Sequence, residues 1–137
     1  MAKIIVDTGP LVALLDEAEQ HHIWTRDQLL LIRQPLLTCD AVLTETCYLL
    51  SSYPRALKQL QRYLSEKLIV STFESTPQMP RIFDLIAVYR NVPMSFADAC
   101  LVCLIESNPG SSLFTLDRDF AIYRQHRRRV IPLIAPF

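Results

Sequence analysis

Five apolar runs of three or four residues punctuate the chain: Ile4–Val6, Leu36–Cys39, Leu68–Val70, Leu113–Thr115 and Val130–Leu133. Between them lie stretches with helical spacing of apolar side chains. Runs this short suit buried strands and are too brief for helices. Their alternation with helical segments predicts an α/β fold built on a parallel sheet. The predicted helices are Leu11–Leu15 behind Pro10, His21–Arg33 stopped by Pro35, Ala41–Leu50, Pro54–Ser65, Pro77–Arg90 and Ala97–Glu106, with a short one after the fourth strand. Proline fits a first helical turn but not a helix interior, which sets several of these bounds. Pro132 confines the last strand to a sheet edge, because it cannot donate to a ladder.

At 137 residues the chain has the size of one domain, and no repeat, low-complexity tract or linker divides it, so residues 1–137 are expected to form a single domain. The two glycines, Gly9 and Gly110, are too few for a phosphate-cradling loop or a dinucleotide fingerprint. Formal net charge is zero, so nucleic-acid binding would have to come from local patches. No stretch approaches the roughly 18 apolar residues that span a bilayer, and the opening apolar run is too short for a signal peptide. The expected location is cytoplasmic, where Cys39, Cys47, Cys100 and Cys103 stay reduced. All four cysteines, including the Cys100-x-x-Cys103 pair on an apolar helix, read as core.

Four acidic residues stand where a lone carboxylate has little reason to be. Asp7 closes strand one, Glu45 lies inside an apolar helix, Asp98 opens a helix and Asp117 follows strand four. Asp7, Asp98 and Asp117 each have an innocent alternative as helix caps, with Ser95-x-x-Asp98 matching a capping box. Glu45 does not, because it lies too deep in its helix, next to Val42, Tyr48 and Leu49. Its bland alternative is a lone salt bridge. In a parallel sheet, ligands bind beyond the carboxyl ends of the strands where strand order reverses. If strands one and four are neighbours, all four carboxylates reach one cleft. Clustered carboxylates repel one another, and a divalent cation offsets that repulsion. An all-oxygen set suits Mg²⁺ or Mn²⁺ better than zinc. The chemistry that follows is hydrolysis of a phosphodiester by a metal-activated water.

In Ile5-Val6-Asp7-Thr8-Gly9, Thr44-Glu45, Ser95-Phe96-Ala97-Asp98-Ala99 and Thr115-Leu116-Asp117-Arg118-Asp119-Phe120, taken in that order, the chain resembles the PIN domain, and most of all the VapC-type ribonuclease toxins. The resemblance runs the whole length. It implies a three-layer α/β/α fold with a five-stranded parallel sheet in the order 3-2-1-4-5, Mg²⁺ or Mn²⁺ in an acidic pocket, and endonucleolytic cleavage of RNA. The expected catalytic and metal-binding set is Asp7, Glu45, Asp98 and Asp117. Asp119, Thr8 and Thr115 are auxiliary, Asp119 as a second acidic group or a cap and the threonines as hydroxyls that hold carboxylates or waters.

Arg127, Arg128 and Arg129 lie in the one strong basic run, which reads either as a solvated turn or as a patch that tracks RNA phosphates. Apolar side chains on the helices, among them Trp24, Leu29, Leu30 and Leu31 and then Leu57, Leu60, Tyr63 and Leu64, exceed what a core of this size hides. That excess predicts a homodimer. The resemblance adds a small antitoxin protein that places a basic side chain among the carboxylates. Two rival functions are a binding or adaptor module with a degenerate pocket, and a structure-specific DNA nuclease, which the short chain disfavours. Asp7-Thr8-Gly9 also spells the aspartic-protease triplet, but that chemistry needs two such aspartates on an all-β scaffold. His21 and His22 read as a partly exposed helix start.

Overall fold

The structure is a computed structural model, and it describes residues 2–137. Strands β1 (Ile4–Val6), β2 (Leu36–Thr38), β3 (Ile69–Ser71) and β4 (Ser112–Phe114) alternate with helices α1 (Thr8–Leu15), α2 (His22–Leu31), α3 (Asp40–Leu49), α4 (Pro54–Ser65), α5 (Met79–Val88) and α6 (Phe96–Glu106). A hairpin of β5 (Arg124–Gln125) and β6 (Arg129–Val130) precedes the last strand, β7 (Leu133–Ile134). The main sheet has five parallel strands in the order β3-β2-β1-β4-β7. Counting only sheet strands, this is the expected 3-2-1-4-5 order, with β7 as the fifth.

Register places apolar side chains side by side across the centre. Ile5 lies opposite Leu37 on one flank and Leu113 on the other. The crossovers β1→β2 and β2→β3 run one way along the sheet, and β3→β4 and β4→β7 run the other. Right-handed crossovers therefore put α1–α4 on one face and α5 and α6 on the opposite face. That handedness makes the three layers. Helix α6 is buried at eight of its eleven positions, Cys100, Cys103 and Leu104 included. It has no polar face because it is enclosed by the sheet, α3 and α5. Each fully buried Leu or Ile here contributes about 1.5–3 kcal/mol relative to leaving it exposed.

Several elements depart from the sequence expectations. Helix α1 starts at Thr8, ahead of Pro10, because the Asp7 side chain caps it. Helix α5 begins after a 3₁₀ turn at Thr76–Gln78. The last strand was expected at Val130–Leu133. Instead Arg129–Val130 pairs antiparallel with Arg124–Gln125, and the sheet edge is formed at Leu133–Ile134. Pro132 still contributes its carbonyl, which accepts from the Leu113 N–H at 2.8 Å. Three cysteines are buried, but Cys47 is exposed on α3, so the core reading fails there. The next two residues, Tyr48 and Leu49, are exposed as well. Among the described residues no helix is long and apolar enough to cross a membrane.

Candidate active site

The site lies at the carboxyl edge of β1 and β4, adjacent strands from which the chain departs in opposite directions. At such a switch point the loops diverge and leave a crevice. A cavity of about 760 Å³ opens there, lined by Asp7, Thr8, Gly9, Glu45, Tyr48, Leu49, Ser95, Asp98, Leu116, Asp117 and Arg118. All four carboxylates singled out in the sequence therefore meet. Asp119 and the basic run do not line it.

Asp7 is 6% exposed. Its Oδ1 accepts from the Thr8 N–H at 2.7 Å, and its Oδ2 accepts from the Thr115 hydroxyl at 2.8 Å. Capping and membership of the acidic cluster are thus combined in one side chain. Burial pushes its pKa up to about 7, against the pull of those two hydrogen bonds, and the charges of Asp98 and Asp117 raise it further. Thr115 has a second duty: its hydroxyl oxygen accepts from the Asp117 N–H at 3.0 Å. One buried hydroxyl so ties the end of β1 to the turn after β4.

Asp117 caps the following 3₁₀ turn, Oδ1 accepting from the Asp119 N–H at 2.9 Å. Asp98 completes a capping box at the start of α6: its N–H donates to Ser95 Oγ at 3.0 Å, and its Oδ2 accepts from the Ser95 N–H at 3.1 Å. Half-burial raises the Asp98 pKa above the usual carboxylate range, and Asp117 and Glu45 add to the rise. Glu45 is held by the Thr8 hydroxyl, which donates to Oε1 at 2.8 Å. It is exposed on the cavity rim, so a hydroxyl takes the place of the internal salt bridge that an apolar setting suggested. Asp119 is also raised, by desolvation first and by the Asp117 charge second.

Among the described residues, no ion pair includes Asp7, Glu45, Asp98 or Asp117. Nor do any three His, Cys, Asp or Glu side chains stand close enough, as placed, to clasp a metal ion. The donor set nevertheless fits a hard cation. It is all oxygen, it carries uncompensated negative charge, and Asp7 bears that charge at a cost that burial makes large. Glu45 Oε2, Asp98 Oδ1 and Asp117 Oδ2 take part in no hydrogen bond among the described residues.

Arg127, Arg128 and Arg129 sit at the far end of α6. The turn of the β5–β6 hairpin is anchored there by the His126 N–H, which donates to Glu106 Oε2 at 2.6 Å. Asp98 and Glu106 are eight residues apart on one helix, about 12 Å along its axis. Arg128 and Arg129 border a separate concavity with His126, while Arg127 lies 3.7 Å from Asp84. His21 and His22 remain outside the acidic cavity, with His22 Nδ1 2.7 Å from the Ala13 carbonyl.

Several lining residues carried no site role in the sequence, among them Gly9, Tyr48 and Arg118. Gly9 lets α1 approach the turn after β4, since a Cβ there would lie 3.1 Å from Leu116 Cβ. Tyr48 follows Glu45 by one helical step of three, the spacing that puts both on one side of α3. Arg118 stands between the two flagged aspartates, its guanidinium carbon 4.9 Å from the centre of the Phe137 ring.

Fold and cavity define a class: a parallel α/β protein whose carboxylates gather where the strand order reverses. The chain belongs to the PIN domain family, whose model matches residues 4–125. Its structure is similar to that of VapC20 from Mycobacterium tuberculosis, described as a Sarcin-Ricin loop cleaving toxin, with a TM-score of 0.78 and 19% sequence identity over 95% of this chain and 100% of that one. At that identity the likeness speaks for the fold. A comparison with curated proteins gives no match.

Proposed function

We propose that the protein is a metal-dependent endoribonuclease that hydrolyses RNA phosphodiester bonds in the acidic cavity, acting as the toxin of a toxin–antitoxin pair. The observation that carries this reading is the meeting of Asp7, Glu45, Asp98 and Asp117 around one cavity, with no cation among the described residues paired to any of them. Family membership and the likeness to a toxin described as Sarcin-Ricin loop cleaving give it further support. Asp7, Asp98, Asp117 and Glu45 would hold Mg²⁺ or Mn²⁺. A bound ion of that kind offsets phosphate charge and acidifies a water.

The chain's own residues supply position. Two hydrogen bonds fix Asp7, Thr8 sets the reach of Glu45, and the capping box orients Asp98. Thr115 keeps Asp117 in register with Asp7. The Thr8 hydroxyl is engaged with Glu45 and Ser95 Oγ with the Asp98 N–H, and a water would be the attacking group. Arg127, Arg128 and Arg129 would contact the RNA backbone about 12 Å from the cavity end of α6, a span of a few nucleotides. A small partner protein with an arginine or lysine in its docking segment would neutralise the same carboxylates.

The test is cleavage of total RNA by the purified chain with Mg²⁺ or Mn²⁺, beside its Asp98→Asn variant. Wild type should cut, the variant should stay folded and inactive, and either ion should raise the melting temperature of the wild type. Full activity of Asp98→Asn, or activity in excess EDTA, sinks the proposal. A second reading, a degenerate binding module, draws on the spacing of the carboxylates, none of which form a ready clasp. It requires that Mn²⁺ leave the melting temperature unchanged.

A further inference from the structure

We propose that Tyr48 and Arg118 form a nucleotide subsite on the carboxylate cavity. It would take one unpaired nucleotide of an RNA strand, with the base stacked on the Tyr48 ring and a phosphate paired with the Arg118 guanidinium. The proposal rests on the ribonuclease reading and adds to it two residues that would hold the strand beside the carboxylates.

Tyr48 is 78% exposed and Leu49 54%, and both line the cavity that holds the carboxylates. Large apolar side chains left in solvent mark a surface that something covers. Among the described residues the aromatic pairs are Trp24–Phe114, Phe83–Phe96, Tyr89–Tyr123 and Phe120–Tyr123. Tyr48 belongs to none of them, and among the described residues its hydroxyl has no hydrogen-bond partner. Its ring stands largely in solvent, one helical step from Glu45.

Arg118 is the one Lys or Arg lining the cavity among the described residues. Opposite charges draw together, yet among the described residues' ion pairs it joins none of the four carboxylates. It rests over the Phe137 ring instead, which leaves its fork of N–H donors unspent. A planar guanidinium matches two phosphate oxygens at once. The acidic cavity repels the backbone of an incoming strand, and Arg118 supplies the local attraction that lets one phosphate enter.

The pairing of an aromatic platform with one phosphate-binding cation is the chemistry of single-stranded nucleic acid. A base inside a duplex already stacks on its neighbours and offers no face to Tyr48. A basic peptide could also cover Tyr48 and Leu49, but it would bring its cations against Arg118.

The test uses the full chain in an Asp98→Asn background, which keeps the probe uncut. The probes are a fluorescein-labelled unpaired RNA oligonucleotide and the perfect duplex of the same sequence, with Mg²⁺ and a KCl series. The unpaired strand should bind more tightly than the duplex. Tyr48→Ala should weaken its binding about 10-fold, and Tyr48→Phe should stay within about twofold, since the ring is kept. Arg118→Gln should make the dependence of log affinity on log salt shallower by about 0.7, one phosphate contact on a single strand. Tyr48→Ala and Arg118→Gln binding like their parent would overturn the subsite. Equal affinity for the duplex would do so too. A change in oligomer mass for Tyr48→Ala with RNA affinity intact would assign Tyr48 to a protein interface. Wild-type cleavage of total RNA separates the two levels: if it persists while these variants behave as parent, the subsite alone falls. If wild type neither binds nor cuts RNA, both proposals fall.

Discussion

Asp7 shows how a single side chain is loaded with conflicting demands. It caps α1, accepts from Thr115 and lies buried beside two other acids. Its pKa is raised from 3.8 to about 7, so the folded, metal-free protein prefers it protonated. Any stability this confers is complete below the unfolded value, near pH 4, and is lost as pH rises toward 7. Asp7→Asn keeps the capping oxygen without the charge. In EDTA it should melt above wild type at pH 8 and with wild type at pH 4, by calorimetry at both values. An equal melting difference at the two values would mean that the charge is not what burial penalises. Asp117 is the ligand the sequence favours, with Asp119 as a second acidic group or a cap, although both fit a cap and both fit a cluster. The structure gives Asp117 a place on the cavity and Asp119 none, so Asp117→Asn should reduce cleavage more than Asp119→Asn in an initial-rate assay, and the reverse order would exchange their roles. The meeting of the four carboxylates was legible because each stood at a strand end or in a helix where solvation alone did not explain it. Tyr48 was hidden for the opposite reason: an apolar residue at helical spacing reads as core, and only the fold shows that this part of α3 faces solvent.

Among the elements, the sheet was readable and the turns between its strands were less so. A buried parallel strand announces itself as an apolar run, and four of the five runs fall where β1 to β4 form. The β5–β6 hairpin carried no such mark. Its turn places His126 at φ 49° and Arg127 at φ 68°, a region where glycine or asparagine would be the usual signal. Glu106 compensates by accepting from the His126 N–H, and that bond between distant residues is invisible in a linear pattern. Gly9 is an element-level device of another kind. Replacing it by alanine favours α1 by about 0.8–1 kcal/mol in helix propensity. The new Cβ, however, would lie 3.1 Å from Leu116 Cβ and 3.3 Å from its Cγ, so Leu116 must shift. Leu116 is the residue before Asp117. Gly9→Ala should therefore leave the melting temperature within a few degrees of wild type and lower the cleavage rate, whereas Gly9→Ala with Leu116→Ala should recover part of the rate. A double variant no faster than Gly9→Ala would show that the glycine serves something other than the approach to Leu116.

At the scale of the whole molecule, apolar surface remains after the core is complete, though not on all the side chains expected to supply it. Trp24 turns inward and meets Phe114 edge-on at 5.8 Å, Leu60 is buried, and Leu29, Tyr63 and Leu64 pack against the core. What α2 leaves outside is Ile23, Leu30 and Leu31, exposed by 63%, 76% and 75%. Ile23 and Leu30 are seven residues apart, two helical turns, and so share a face, with Leu31 beside them. Helix α4 retains no comparable stripe: Leu57 is half-buried and its exposed positions are mostly polar or charged. A homodimer, if formed, would therefore be built on α2 and not on α4. A stable pair buries about 800 Å² on each partner, with large apolar side chains at its centre. Two glutamates at the most exposed positions would have to be desolvated in that centre. Leu30→Glu with Leu31→Glu should reduce the light-scattering mass at micromolar concentration from two chains to one, 15.7 kDa, without loss of helical circular dichroism. Because α2 contributes no residue to the acidic cavity, the monomeric variant should keep its metal-dependent rise in melting temperature. A wild-type mass of a single chain would refute the dimer, and a double variant that stays dimeric would move the interface away from α2.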